Sequence, residues 1–465
     1  MQAKLTFHGA TGTVTGSRYL LEIDNKKLLI DCGLFQGTKE NRLKNWEPFP
    51  IPPKQIDKVL LTHAHIDHSG YLPRFCNEGF SGEVHCTYAT GDLCDILLKD
   101  SGHLQEEDAH WANKQGYSKH KPAKPLFTVK DAERALQMFS PMNYGEDYYL
   151  NNNVRIKFKD AGHILGSSFI DIKTRHGENS KKIVFSGDMG RPTRHYLNDP
   201  VQIFNVDYLV LESTYGDRLH DELSPVDELV RVVEDSIARG GVLVVPAFAV
   251  GRTQTFLYLI RELEEAGRIP AIPIFVDSPM AINVTDVFRK RISDQNLTAR
   301  LLALQHKPIF QPQKLQICES REESKVINRQ KGPAIIISAS GMATGGRILH
   351  HLEQRLPEPE NTILFIGYQA AGTRGRTILE GSPSVKMHGR EVPIRAKIES
   401  ISGFSGHADY NEILAWLMGL NKAPIKIFLV HGEPESSNAL AEKIRNHYRW
   451  DVEVPGPGDG YVIEL

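Results

Sequence analysis

The chain has 465 residues, 40% hydrophobic and 24% charged, which excludes wholesale disorder and suits two or three globular domains. Its 55 Lys and Arg against 57 Asp and Glu give a net charge of −2, which excludes a grossly basic nucleic-acid binder but leaves room for a local cationic groove. Along the chain, residues 3–8 and 17–23 read as strands, and Asp24–Lys27 as a hairpin turn into LLIDCG. The apolar run Ile56–Leu61 stops at THAHIDHSGYLP. Helices are expected over Gly91–Lys99 and around Gln105–Lys114, followed by the basic, Pro-containing loop KQGYSKHKPAKP. Further strands are expected at 154–158, 168–173, 182–186 and 206–212.

From about 216 the pattern changes. Ser224, Pro225 and Asp227 form a helix start, Leu229, Val233 and Ile237 keep helical spacing, and Gly240-Gly241 stops it. Strand GVLVVPAF, helix RTQTFLYLIRELEEAG, strand IPIFV, a helix after Pro279, strand AIIIS, helix GGRILHHLEQR and strand TILFI follow. Short, fully apolar strands alternating with helices predict a parallel, Rossmann-like sheet. Near 381 the β-type pattern returns with KIESISG, KIFLVHG, DVEVP and GYVIEL. The expected organisation is an α/β first domain from residues 1–215 and 381–465, interrupted by a second domain over 216–380.

The five cysteines, Cys32, Cys76, Cys86, Cys94 and Cys318, form no CxxC pair, so a reducing compartment is expected. No signal peptide is read in MQAKLTFHGATG, and the apolar run Val242–Val250, broken by Pro246, is too short to span a bilayer. A cytoplasmic protein without a membrane partner is the expectation.

The strongest local signal is His63-Ala64-His65-Ile66-Asp67-His68. His63 and His65 are two apart, so an extended segment points both the same way, onto one metal. Asp67 and His68 follow as the chain turns and suit a second ion; imidazole and carboxylate are ordinary zinc ligands. Later strand ends carry Asp160-Ala161-Gly162-His163 and Ser186-Gly187-Asp188. Each alone reads as an ordinary loop histidine or turn carboxylate.

H-x-H-x-D-H after a strand, with these two later motifs, resembles the metallo-β-lactamase superfamily. Glu212 ending Leu209-Val210-Leu211, then Ser405-Gly406-His407-Ala408-Asp409 and Val430-His431-Gly432-Glu433, resemble the three signatures of its β-CASP branch. The resemblance spans nearly the whole chain and is to RNA-cleaving members similar to the catalytic subunit of the mRNA 3′-end cleavage and polyadenylation specificity factor. It implies an αββα sandwich with an inserted Rossmann-like β-CASP cap, and an active site in the cleft between them. No additional N-terminal RNA-binding domain or long C-terminal extension is read, unlike archaeal cleavage factors and RNase J.

The same resemblance implies two Zn2+ per chain. One takes His63, His65, His163 and Asp188; the other takes Asp67, His68, Asp188 and His431. Asp31 falls beside the site, where a carboxylate orients a ligand histidine, or is a plain strand-end turn residue. Asp67, Glu212 and His407 are the expected catalytic residues. Two metals roughly 3.5–4 Å apart activate water and clamp a phosphodiester. His407 beside Glu212 is the candidate general acid, since a carboxylate favours the protonated ring and holds its tautomer; structural partnership is the plain alternative.

Ser338-Ala339-Ser340-Gly341, before a helix that begins near Arg347, suits a phosphate cradle or an ordinary Gly-rich turn. Ser338, Ser340 and Arg347 are candidate contacts to the RNA backbone. Arg374 and Arg376 suit phosphate contacts and solvated linker charges equally. His388 in VKMHG has no assigned role. The expected function is hydrolysis of single-stranded RNA, as an endonuclease leaving 5′-phosphate and 3′-hydroxyl ends, with a homo-oligomer compatible. A 5′-3′ exoribonuclease, a small-molecule ester or amide hydrolase and a non-catalytic scaffold are the alternatives.

Overall fold

The computed structural model describes residues 1–116, 120–176, 179–192, 196–220, 224–278 and 280–465. Contacts divide it into two units, Met1–Leu219 with His407–Leu465, and His220–Gly406. Residues 117–119 of the basic loop, and Pro279 ahead of the helix Met280–Lys290, lie outside the described residues.

Two seven-stranded sheets build the first unit. One runs Gly460–Glu464, Gln2–Phe7, Tyr19–Ile23, Lys26–Ile30, Lys58–Leu60, Glu83–Thr87, Phe139–Met142. The other runs Val452–Glu453, Lys426–Val430, Tyr208–Glu212, Asn179–Phe185, Ser168–His176, Val154–Asp160, Tyr148–Tyr149. The hairpin expected near 24 turns on Asp24 and Asn25, both left-handed (φ 48° and 58°), in the two-residue turn between Ile23 and Lys26.

Alternation decides which side chains meet. Val154, Ile156 and Phe158 are buried while Arg155, Lys157 and Lys159 between them are not. They join Leu5, Leu21, Leu28, Ile30, Ile170, Phe185, Val210 and Phe428 in one core between the sheets. Burying a side chain such as Phe158 contributes about 1.5–3 kcal/mol. The other face of the second sheet packs Leu209, Leu211, Ile427 and Leu429 against Trp416, Leu417, Leu440 and Ile444, from the helices Tyr410–Met418 and Pro434–Tyr448. Helix Tyr88–Gln115 packs on the far face of the first sheet, giving αββα layers.

The two helices expected over 91–99 and 105–114 are one, Tyr88–Gln115. Gly102 does not break it. A Cβ there would lie 2.8 Å from the Val129 nitrogen, so the glycine serves the close approach of the segment that starts helix Val129–Leu136.

The second unit holds a six-stranded, all-parallel sheet, ordered Leu315–Ile317, Ile274–Asp277, Ala334–Ser338, Val242–Pro246, Thr362–Phe365, Lys397–Ser400. Its four central strands are buried along their whole length, as the apolar runs predict. Helix Pro225–Ala238 begins as expected, with Ser224 accepting from the Asp227 N–H. The return toward the first unit differs from the expected 381. Ser384–Met387 and Arg390–Pro393 form a hairpin, and Lys397–Ser400 pairs with Thr362–Phe365 at the edge of the second unit's sheet. The contact division therefore falls after Gly406.

Candidate metal centre and the carboxylate–histidine pair beside it

Strands Lys58–Leu60 and Lys26–Ile30 run parallel in the first sheet, and Asn179–Phe185, Tyr208–Glu212 and Lys426–Val430 run parallel in the second. Val154–Asp160 shares their direction through two antiparallel pairings. Asp31, His63, His163, Asp188, Glu212 and His431 all sit at or just beyond the carboxyl ends of these strands. That shared direction brings six distant sequence segments to one edge of the sandwich.

His63 Nε2 lies 3.1 Å from His65 Nδ1, which lies 3.4 Å from His163 Nε2. Asp188 Oδ2 is 3.4 Å from both His63 Nε2 and His163 Nε2. Corners of a tetrahedron around zinc, with bonds of about 2.0–2.2 Å, are about 3.3–3.6 Å apart, so these four atoms suit one ion. A second group faces it. His68 Nε2 is 3.2 Å from His431 Nε2, which is 3.4 Å from Asp67 Oδ2, and Asp188 Oδ1 is 3.1 Å from His68 Nε2. Asp188 thus turns one oxygen to each group, and the donor set suits two divalent ions.

Neighbouring side chains fix the rings. Asp31 Oδ2 lies 2.7 Å from His68 Nδ1, while Asp31 also accepts from the Thr62 N–H and hydroxyl, each at 2.8 Å. Thr62 Oγ1 is 3.1 Å from His63 Nδ1, and Thr214 Oγ1 is 3.1 Å from His431 Nδ1. With Nδ1 engaged, Nε2 is the inward nitrogen of all three rings. Asp31 and His431 hold left-handed backbones (φ 60° and 51°), a conformation costing about 1–3 kcal/mol at a non-glycine residue. The His431 N–H is tied to the Ala10 carbonyl at 2.7 Å.

Burial and charge set the protonation states. Burial pushes His63 down, His65 down to about 3, and His163 far down, leaving three neutral rings. Burial opposes ionisation of Asp67 and Asp188, but His431 and His68 outweigh it and hold both carboxyls below their ordinary range. Burial likewise lowers His68 and His431, yet the facing carboxylates, Asp188 first, raise both overall. The pocket therefore favours positive charge between these rings, which a divalent ion would supply with the rings as neutral ligands.

Glu212 is fully buried, and both its oxygens approach His407 Nδ1, Oε2 at 3.0 Å and Oε1 at 3.1 Å. Glu212 Oε1 also accepts the Met189 N–H at 2.6 Å, next to Asp188. The His407 ring packs on His163 with centroids 4.6 Å apart. The expected acid pair thus borders the first ligand group.

The expected RNA-backbone residues belong to the second unit, and each is engaged there. Ser338 is buried and donates to the Asp277 carbonyl, and Ser340 Oγ accepts the Thr344 N–H. Arg347 donates to Asp277 Oδ1 at 2.8 Å and to the Cys318 and Glu319 carbonyls. Arg374 donates to the Lys386 and Thr344 carbonyls, and Arg376 to Glu380. Asp277, with His351 Nε2 at 2.7 Å and Ser324 at 2.6 Å, is a buried hub that the sequence reading missed. Its signal was available: like Glu212, it is a carboxylate ending an apolar strand.

Three family descriptions match the sequence: Metallo-beta-lactamase superfamily over residues 11–131, Beta-Casp domain over 253–378, and Zn-dependent metallo-hydrolase RNA specificity domain over 391–455. The chain is 39% identical over 435 residues to Ribonuclease TTHA0252 of Thermus thermophilus, covering 93% of this chain and 94% of that protein. It is 30% identical over 462 residues to an RNase J-like protein of Methanocaldococcus jannaschii, covering 98% of each. It is 30% identical over 470 residues to the transcription termination factor FttA of Methanothermobacter thermautotrophicus, covering 97% of this chain and 70% of that one. A crystal structure from Enterococcus faecalis V583, of a protein described as of unknown function, aligns over 100% of both chains with a TM-score of 0.51 at 12% identity, a likeness of fold. The chain belongs to the β-CASP ribonuclease branch of the metallo-β-lactamase superfamily.

Proposed function

We propose that this protein is a two-zinc ribonuclease that cuts single-stranded RNA internally, leaving 5′-phosphate and 3′-hydroxyl ends. The observation that carries it is Asp188, shared between two ligand groups and bordered by the Glu212–His407 pair. His63, His65, His163 and Asp188 hold one ion; Asp67, His68, Asp188 and His431 hold the other. Asp31 positions His68. Two bound divalent ions supply Lewis acidity toward the phosphate and lower the pKa of water.

The chain's own residues do the rest. Glu212 holds the His407 Nδ1–H, so the acid form of the ring carries its transferable proton on Nε2. His407 passes that Nε2 proton to the leaving 3′-oxygen and returns to the neutral ring protonated on Nδ1. A thioester, whose thiolate leaves without protonation, needs no such donor, which favours a phosphodiester over a thioester substrate. The names of the Thermus and Methanocaldococcus relatives support RNA as that substrate. Five unpaired cysteines support a cytoplasmic location, and no described helix is long and apolar enough to cross a membrane.

Mapping the products of 5′-labelled single-stranded RNA tests the reading. Internal fragments whose downstream pieces carry 5′-phosphates are expected. Release of mononucleotides from the 5′ end alone would replace the endonuclease reading with the exonuclease one. Cleavage of a thioester with RNA left intact would overturn both.

A further inference from the structure

His350 and Glu353 stand three apart on the helix Ile348–Arg355, and so on one face. Its buried side sets which face that is. Ile348, Leu349 and Leu352 enter the core, and His351 is pinned to Asp277, which leaves His350 outward and exposed. Opposite lies the two-residue turn His388–Gly389 that joins Ser384–Met387 to Arg390–Pro393. Both turn residues are left-handed (φ 46° and 82°), the geometry that favours Asn-Gly. Histidine stands where asparagine is the usual choice.

The turn aims that histidine at the helix. His388 Nδ1 is 3.0 Å from Glu353 Oε2, and its ring stacks on His350 with centroids 4.5 Å apart and planes 21° apart. One ligand atom from each of the three residues lies within 4.8 Å of the others. Two imidazoles and one carboxylate suit borderline divalent ions such as Zn2+, Co2+ and Ni2+.

We infer that His350, Glu353 and His388 form a second, peripheral site for such an ion, wholly within the second unit and independent of the Asp188 centre. Water fills its remaining positions, because the three side chains are partly or largely exposed. The bound ion clips the hairpin Ser384–Pro393 to the helix Ile348–Arg355. A mere His388–Glu353 surface pair needs no third donor from His350.

The test counts zinc on full-length, chelator-stripped protein after equilibrium dialysis against zinc alone. His388→Asn keeps a residue suited to the turn, and His350→Gln leaves the turn untouched. Each should bind one zinc fewer than wild type, whereas Asp188→Ala should retain the peripheral ion. Zinc should also slow hydrogen exchange of the amides of residues 384–393 in wild type and Asp188→Ala, and not in the two histidine variants. Equal zinc in wild type and both histidine variants, or hairpin exchange indifferent to zinc, overturns the inference.

Discussion

Glu212 places both carboxylate oxygens within 3.1 Å of His407 Nδ1 while being fully buried itself. A buried carboxylate needs partners, and His407 together with the Met189 N–H supplies them. Neither Glu212 nor His407 belongs to the two candidate ligand groups that share Asp188, so the proposed proton transfer and metal binding should be separable by mutation.

His407→Ala is expected to keep both zinc ions of the Asp188 centre and lose about 10²–10⁴-fold in cleavage rate, the usual scale for a general acid. Rates on RNA and on an RNA analogue with a better leaving group distinguish acid loss from misfolding. The analogue, which needs less protonation, should be cut by the variant nearly as fast as by wild type.

Asp31 meets the candidate metal centre through His68 Nδ1 and through Thr62. Asp31→Ala should weaken one zinc by about 10–100-fold and leave the other nearly unchanged, the usual effect of losing a ligand's orienting partner. Competition with a chromogenic chelator reads this as one displaced affinity step. Equal weakening of both ions, or of neither, contradicts the assigned role.

Gly33 lets two backbones touch. A Cβ there would lie 1.6 Å from the Asp67 carbonyl oxygen and 2.8 Å from the His68 nitrogen. The Cys32 and Leu34 N–H groups on either side donate to the His68 and Ile66 carbonyls, holding the ligand turn against this loop. Gly33→Ala should cost about 1–3 kcal/mol in denaturant unfolding and displace Asp67 and His68, lowering zinc content.

The second unit should be sensitive to acid through Asp277. Burial would raise this carboxyl, but His351, Ser324 and Arg347 together hold it below its ordinary value. The unfolded chain therefore takes up the proton first as pH falls. The stabilisation is complete above about pH 4 and is lost as pH drops through the lower folded-state value. Asp277→Asn should cost about 3–5 kcal/mol at pH 7, and the gap to wild type should narrow below about pH 4, as read by urea unfolding at a series of pH values.

The residues of the two candidate ligand groups could be picked out in the sequence because each ends an apolar strand or opens the turn after it. A strand end fixes a side chain's position within a few residues, as at His63, Asp188 and His431. What was not legible depends on packing between distant segments. Thr62 and Thr214 read as ordinary residues, and only folding sets them on His63 and His431. His388 meets His350 and Glu353 across a separation of 35 residues from the glutamate, through a turn and a helix face that periodicity cannot align. The β-type pattern puts Lys397–Ser400 in the first domain, and only its pairing with Thr362–Phe365 assigns it to the second unit. The two helices read over 91–99 and 105–114 are one, and Gly102 between them serves a contact with the Val129 nitrogen.

The central claim is that Asp188 joins two metal sites that cut RNA. Its most direct test measures zinc content and cleavage of 5′-labelled single-stranded RNA on the same samples of wild type and Asp188→Ala, with the peripheral site removed in both by His388→Asn. The account predicts two zinc ions and internal cleavage with Asp188 present, and loss of cleavage with impaired binding of both ions without it. Intact RNA in the presence of two bound zinc ions, or undiminished cleavage by Asp188→Ala, would contradict it.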